Sequence, residues 1–175
     1  MKQSLQIAAA ELSLEGLDGL PPCDLVAFAG EEERPLRGLP GLVDWRLCGA
    51  LSRLVKAEHF TGARHAPLLT VSGGAIPAAR IFLFGVGQAA ALAKAAPGAY
   101  LEEAFAVVAR AGGERVALAL PATEPLAIGA LARPLVEAAR AAGLREVTLL
   151  HKDVRGADRA LAVAAEAVPG VRLGA

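Results

Sequence analysis

Apolar positions along this chain follow two different periods. Short apolar runs rich in branched or aromatic residues recur at Leu5–Ala10, Asp24–Gly30, Pro67–Ser72, Arg80–Gly85, Arg115–Leu120 and Glu146–His151, with a shorter one at Val171–Leu173. Runs of roughly 4–8 such residues, bounded by Gly, Pro or charge, predict buried strands of an α/β sheet. Between them the apolar spacing changes to three and four. Val43, Leu47, Leu51, Leu54 and Val55 form one stripe, with Asp44, Arg46, Arg53 and Lys56 on the other side, which predicts a helix through that stretch. Leu101, Ala104, Phe105 and Val108 form a second stripe, and Gly112-Gly113 stops it. Ile128, Leu131, Leu135 and Ala139 form a third, in which Pro134 predicts a kink or a restart with proline in the first turn. Leu161, Ala164, Ala165 and Val168 form a fourth, ended by Pro169-Gly170.

The order of these elements predicts the topology. Helices separate the runs at 80–85, 115–120 and 146–151, so those strands pair in parallel through right-handed crossovers. Only a short linker joins Pro67–Ser72 to Arg80–Gly85, which predicts an antiparallel pair. The expected fold class is α/β, with a mixed, largely parallel sheet flanked by helices on both faces. No internal repeat and no long linker breaks the 175 residues, so one domain over 1–175 is the simplest count. Met1 and the tapering Val171–Ala175 end point to a complete product.

Composition removes several classes of function. Hydrophobic residues make up 54% and charged residues 21%, which excludes a disordered chain. Lys+Arg and Asp+Glu are 18 each, and neither half of the chain is a basic body or an acidic tail. Nucleic-acid binding therefore lacks a bulk electrostatic footprint and is not expected. No stretch approaches the roughly 18 apolar residues of a membrane span, and Ser4, Gln6, Glu11 and Ser13 interrupt any signal-peptide run. Cys23 and Cys48 have no metal spacing, and read as incidental thiols of a reducing cytoplasm.

Candidate chemistry is sparse. Gly85-Val86-Gly87-Gln88-Ala89-Ala90 follows a strand and has the form of a phosphate-cradling turn. Its plain reading is a structural turn, and its sharper one a ligand loop through Gly85 and Gly87. Ser72, Gly73 and Gly74 likewise read as a hairpin turn or as a backbone nest for a phosphate. His59, His65 and His151 have no partners at metal-ligand spacing, so neither a metal site nor a cofactor is expected. No Gly-x-Ser-x-Gly elbow exists, and no catalytic residue can be nominated. Glu31-Glu32-Glu33 reads as a solvated charge run, and Trp45 as a packing residue or interface anchor.

The ensemble from Asp24 to Gly87 resembles the N-terminal domain of the leucyl aminopeptidase family. The strand DLVAFAG, the helix LVDWRLCGALSRLVKAEHF, the link Thr61-Gly62-Ala63, the strand APLLTVS and then ARIFLFGVG follow in that family's order. The resemblance implies a macro-domain-like, three-layer α/β/α fold and a cytoplasmic setting. In the family, catalysis belongs to a separate C-terminal domain whose two metals are held by Lys, Asp and Glu, including an Asn-Thr-Asp-Ala-Glu-Gly-Arg-Leu signature. This sequence contains no Asn, so it cannot contain that signature, and no catalytic residue carries over. The expectation is a non-catalytic, stand-alone domain working through protein contacts, as a homo-oligomer or as partner of a separately encoded peptidase. The alternative is a macro-type binder of ADP-ribose or another nucleotide phosphate. No membrane role is expected.

Overall fold

The computed structural model describes residues 4–174, so Met1 and Ala175 lie outside the described residues. Strands β1 (Leu5–Glu11), β2 (Asp24–Ala29), β3 (Leu68–Val71), β4 (Arg80–Gly85), β5 (Arg115–Leu118), β6 (Glu146–His151) and β7 (Val171–Leu173) form one sheet in the order β3-β4-β2-β5-β6-β1-β7. β3 pairs antiparallel with β4, and every other pairing is parallel. The mixed, largely parallel sheet is the predicted one, because a short linker allows a hairpin and a helical crossover enforces parallel neighbours.

Helices cover both faces. The connections after β1 and β2 run over one face as α1 (Leu14–Asp18), α2 (Gly38–Arg46) and α3 (Ala50–Lys56). Leu39, Val43 and Leu51 pack there with Leu25, Ala27, Ile81 and Leu83. The later connections run over the other face as α4 (Ala89–Leu92), α5 (Ala99–Arg110), α6 (Ile128–Ala141) and α7 (Val154–Ala167). Leu101, Phe105, Leu135 and Leu161 pack there with Val26, Phe28, Phe82 and Leu149. The strict alternation of β2 and β4 between these two cores makes the arrangement three-layered α/β/α.

Three local expectations are revised. The predicted helix across 43–55 is two helices, because Cys48 (φ 50°) and Gly49 (φ 80°) turn left-handed between them. Gly49 N–H donates to the Asp44 carbonyl at 2.8 Å, ending α2, and the Asp44 carboxylate accepts from the Ser52 N–H at 3.0 Å at the start of α3. Helix α6 is one helix over Ile128–Ala141 with Pro134 inside it, which removes the restart and not the kink from the two expectations. The Pro134 ring packs against Gly98 at the start of α5, where a Cβ would approach Pro134 Cβ to 2.7 Å. Helix α1 was not expected; Ser13 caps it by accepting from Gly16 N–H at 3.0 Å.

The starts of β2 and β4 are clamped by an ion pair. Arg80 donates from Nε to Asp24 Oδ1 at 2.7 Å, from Nη2 to Oδ2 at 2.6 Å and from Nη1 to the Ala111 carbonyl at 2.8 Å. The Asp24 hydrogen bond holds the Arg80 guanidinium above its ordinary pKa. A bidentate geometry with a buried carboxylate fixes the register of β2 against β4.

Candidate functional site

In open parallel sheets, ligand sites form outside the carboxyl ends of strands at the point where the connections diverge. Here that point lies between β2 and β5: β2 leaves over the α2 face toward β4, and β5 leaves over the α6 face toward β6. Two sets of groups meet there.

The first set is the loops after β2 and β4. Val86 N–H donates to Ala29 O at 3.1 Å, Glu31 N–H to Gly87 O at 3.1 Å, and Gly87 N–H to Gly62 O at 2.9 Å. A Cβ at Gly85 would overlap the Ala63 carbonyl, and one at Gly62 would meet Gly30 O at 2.5 Å. Gly62 and Gly85 therefore let three backbone segments touch one another, while Gly87 supplies the positive φ of 74°. The amides of these loops are also occupied by the chain's own carboxylates. Gly30 N–H donates to Glu33 Oε1 at 3.2 Å, and Ala89 N–H, at the start of α4, donates to Glu32 Oε2 at 3.3 Å.

Glu33 corrects the reading of residues 31–33 as a wholly solvated run. Its relative exposure is 3%, Thr123 Oγ1 donates to its Oε1 at 3.4 Å, and its buried Oε2 has no hydrogen-bond partner in the structure. Arg34 anchors the same loop by donating to Thr61 O at 3.0 Å. The sequence carried no signal for this, since three consecutive acids look alike until the fold turns one inward.

The second set surrounds a cleft of about 510 Å³ beside these loops. Four connections contribute: Leu12 after β1, Arg37 and Gly38 after β2, residues 119–128 after β5, and residues 150–153 after β6. Of this set the sequence reading considers only His151, and expects no metal site there. Of the neighbouring acids, Glu124 accepts from Tyr100 Oη at 2.7 Å and from Leu126 N–H at 3.1 Å. Burial, reinforced by that carboxylate, pushes the Tyr100 hydroxyl well above the ordinary phenol range. A second groove, about 420 Å³, lies over β1 and β6 and is lined by small groups such as Ala8, Ala10, Gly16 and Gly19, with no convergent cations.

The remaining nominated residues are dispersed. Ser72, Gly73 and Gly74 sit in the β3–β4 turn, at the opposite end of β4 from Gly85 and Gly87. At about 3.3 Å per residue, the six-residue strand separates the two loops by roughly 17 Å, so they cannot share one small ligand. Ser72 Oγ donates to Ile76 O and accepts from Gly74 N–H, both at 3.3 Å, closing the turn on itself. His59 is exposed, and His65 Nδ1 pairs with Glu103 Oε1 at 2.9 Å. His151 Nδ1 lies 3.1 Å from Asp153 N. Among the described residues no group of three His, Cys, Asp or Glu is placed to hold a metal ion. Trp45 is 72% exposed, which overturns its reading as a packing residue and leaves that of an interface anchor.

Comparison with known proteins adds the family. The profile of the N-terminal domain of the cytosol aminopeptidase family matches residues 25–145. Among solved structures the chain is similar to a mutant of tomato leucine aminopeptidase, with TM-score 0.61 and 20% identity, over 94% of this chain and 37% of that one. It is also similar to the macrodomain of Mycobacterium tuberculosis DarG, with TM-score 0.57 and 14% identity, over 84% of this chain and 99% of that one. An Oceanobacillus iheyensis macrodomain mutant gives TM-score 0.52 and 14% identity, over 96% of this chain and 88% of that one. At such identities the structural likeness is one of fold. The chain spans 37% of the tomato enzyme's length. No curated protein matches it.

Proposed function

The chain belongs to the cytosol aminopeptidase family through that family's N-terminal domain, and on that premise we propose that it is a non-catalytic, cytoplasmic domain that works by contact with protein. Its partner is a second copy or a separately encoded peptidase. The observation that carries this reading is the open edge of the sheet at β3. Leu69 and Val71 lie opposite Phe82 and Arg80, on the α5 face, and are 54% and 68% exposed. An edge strand with an apolar face and free backbone groups is a template for pairing, and no lysine or proline lies within β3 to block it. Trp45 supports the reading as a second exposed anchor.

The nucleotide-phosphate reading has less support. At the Gly85–Ala89 loop, the Gly30 and Ala89 amides that would receive a phosphate already bind Glu33 and Glu32, and a second anion there meets like charge. The reading of β3 is tested by measuring mass in solution by light scattering, together with a pull-down against a family peptidase. Association is expected, and Leu69→Lys/Val71→Lys removes it. A strict monomer that recovers no partner sinks the proposal.

A further inference from the structure

We propose that the open β3 edge pairs with β3 of a second copy of this chain, antiparallel about a two-fold axis through Thr70, so that two seven-stranded sheets become one. This rests on the reading of β3 as a contact surface and names its occupant.

The direction of the backbone groups decides which residues can bond outward. In an antiparallel pair, opposed residues alternate between those that exchange both backbone hydrogen bonds and those whose N–H and C=O point away. Ser72 N–H donates at 3.0 Å to the carbonyl of Ala79, which lies opposite it one step beyond the Val71–Arg80 pair. Ser72, Thr70 and Leu68 therefore bond to β4. Leu69 and Val71, opposite Phe82 and Arg80, turn their N–H and C=O to the edge, and among the described residues no group donates to or accepts from them there. The edge thus offers its donors and acceptors evenly on either side of Thr70.

That arrangement is self-complementary. A two-fold axis through Thr70 sets Leu69 opposite Val71 of the second copy and Val71 opposite its Leu69, and each pair exchanges both bonds. Moving the axis to Leu69 brings Pro67 opposite Val71, and proline has no N–H to donate. Moving it to Val71 brings in Gly73, whose φ of 60° has left the extended region. The Thr70 axis alone satisfies every outward group with strand residues.

The side chains agree. On one face the exposed Leu69 and Val71 of each copy pack on their counterparts, which takes both out of water. On the other, Thr70 meets Thr70, a favourable cross-strand pair. Residues 66–74 carry no charge, so no like charges meet across the axis. Strands of four residues make an interface below the standard size, so the dimer is weak and concentration-dependent.

The experiment is disulfide trapping in the full chain carrying Cys23→Ala/Cys48→Ala, with one cysteine introduced at a time, beside sedimentation equilibrium. Across the axis the two Thr70 residues form a non-hydrogen-bonded pair with Cα atoms about 4.5 Å apart, within disulfide reach, whereas Leu69 meets Leu69 only diagonally at about 7–8 Å. Mild oxidation is expected to trap Thr70→Cys as a dimer at least tenfold faster than Leu69→Cys. Val71→Pro removes an outward donor but no bond to β4, so it is expected to weaken dimerisation at least tenfold. Should Val71→Pro fail to fold, the trapping ratio decides alone. Trapping of Leu69→Cys as fast as Thr70→Cys overturns the proposal, as does a folded Val71→Pro that dimerises like the parent chain. A chain that is never trapped but recovers a peptidase in the pull-down through Leu69 and Val71 overturns the two-fold pairing and leaves the edge reading standing. A chain that is neither trapped nor recovers a partner overturns both.

Discussion

Tyr100 shows how one residue ties a loop to the core. Its ring packs edge-on against Phe28 with centroids 5.0 Å apart, while its hydroxyl donates to Glu124. Tyr100→Phe keeps the packing and removes the charge-assisted bond, so a loss of about 1.5–3 kcal/mol in denaturant unfolding is expected. The two thiols differ for a similar reason. Burial, with Asp24 adjacent, pushes the Cys23 thiol up to about 11, whereas Cys48 is exposed. At neutral pH Cys48 should be alkylated readily and Cys23 only after unfolding. The folded state holds the Cys23 proton more tightly than the unfolded one. Its stabilisation is therefore complete below the ordinary value of 9.0 and is lost as pH rises through about 11. Cys23→Ala should flatten that alkaline decline, and an unchanged pH profile would contradict the assignment.

At the scale of elements, the Gly-x-Gly turn is explained by packing. Gly85→Ala drives a Cβ into the Ala63 carbonyl and should cost about 1–3 kcal/mol or more. Gly73→Ala meets nothing within 4 Å, so only its positive φ of 60° is at stake, roughly 1–2 kcal/mol. Parallel melting curves of the two variants separate a glycine needed for backbone contact from one needed for a turn. Helix α6 offers the opposite sign. Ala127 holds extended cap geometry without a cap hydrogen bond, so Ala127→Asp should stabilise by about 1 kcal/mol. The elements themselves were largely legible. The apolar runs at β2, β4 and β6 and the stripes at α5, α6 and α7 lie where the periods placed them. Helix α1 escaped because five residues make too short a stripe to register a period. The break between α2 and α3 escaped because the stripe continues in phase across it, and only the left-handed turn at Cys48 and Gly49 reveals it.

Across the whole molecule, the three layers leave one strand overhanging. β3 has its Leu68 side chain packed under α2 and α3, but its Leu69 and Val71 face lies beyond the cover of α5. Leu69→Lys/Val71→Lys should therefore change unfolding free energy by less than about 0.5 kcal/mol while acting on association. A large loss of stability would mean that the edge belongs to the fold and is not a contact surface. The sequence alone determined the period of each main element, the antiparallel hairpin, the parallel crossovers and, through the order of its motifs, the family, because these depend on local spacing and on linker length. Tertiary structure alone decided which of three consecutive glutamates turns inward, that the two glycine loops stand at opposite ends of β4, and that Arg37 and Lys152, 115 positions apart by number, share one cleft. Such facts arise when distant strand ends are brought side by side, and no periodicity along a chain encodes which strand ends become neighbours.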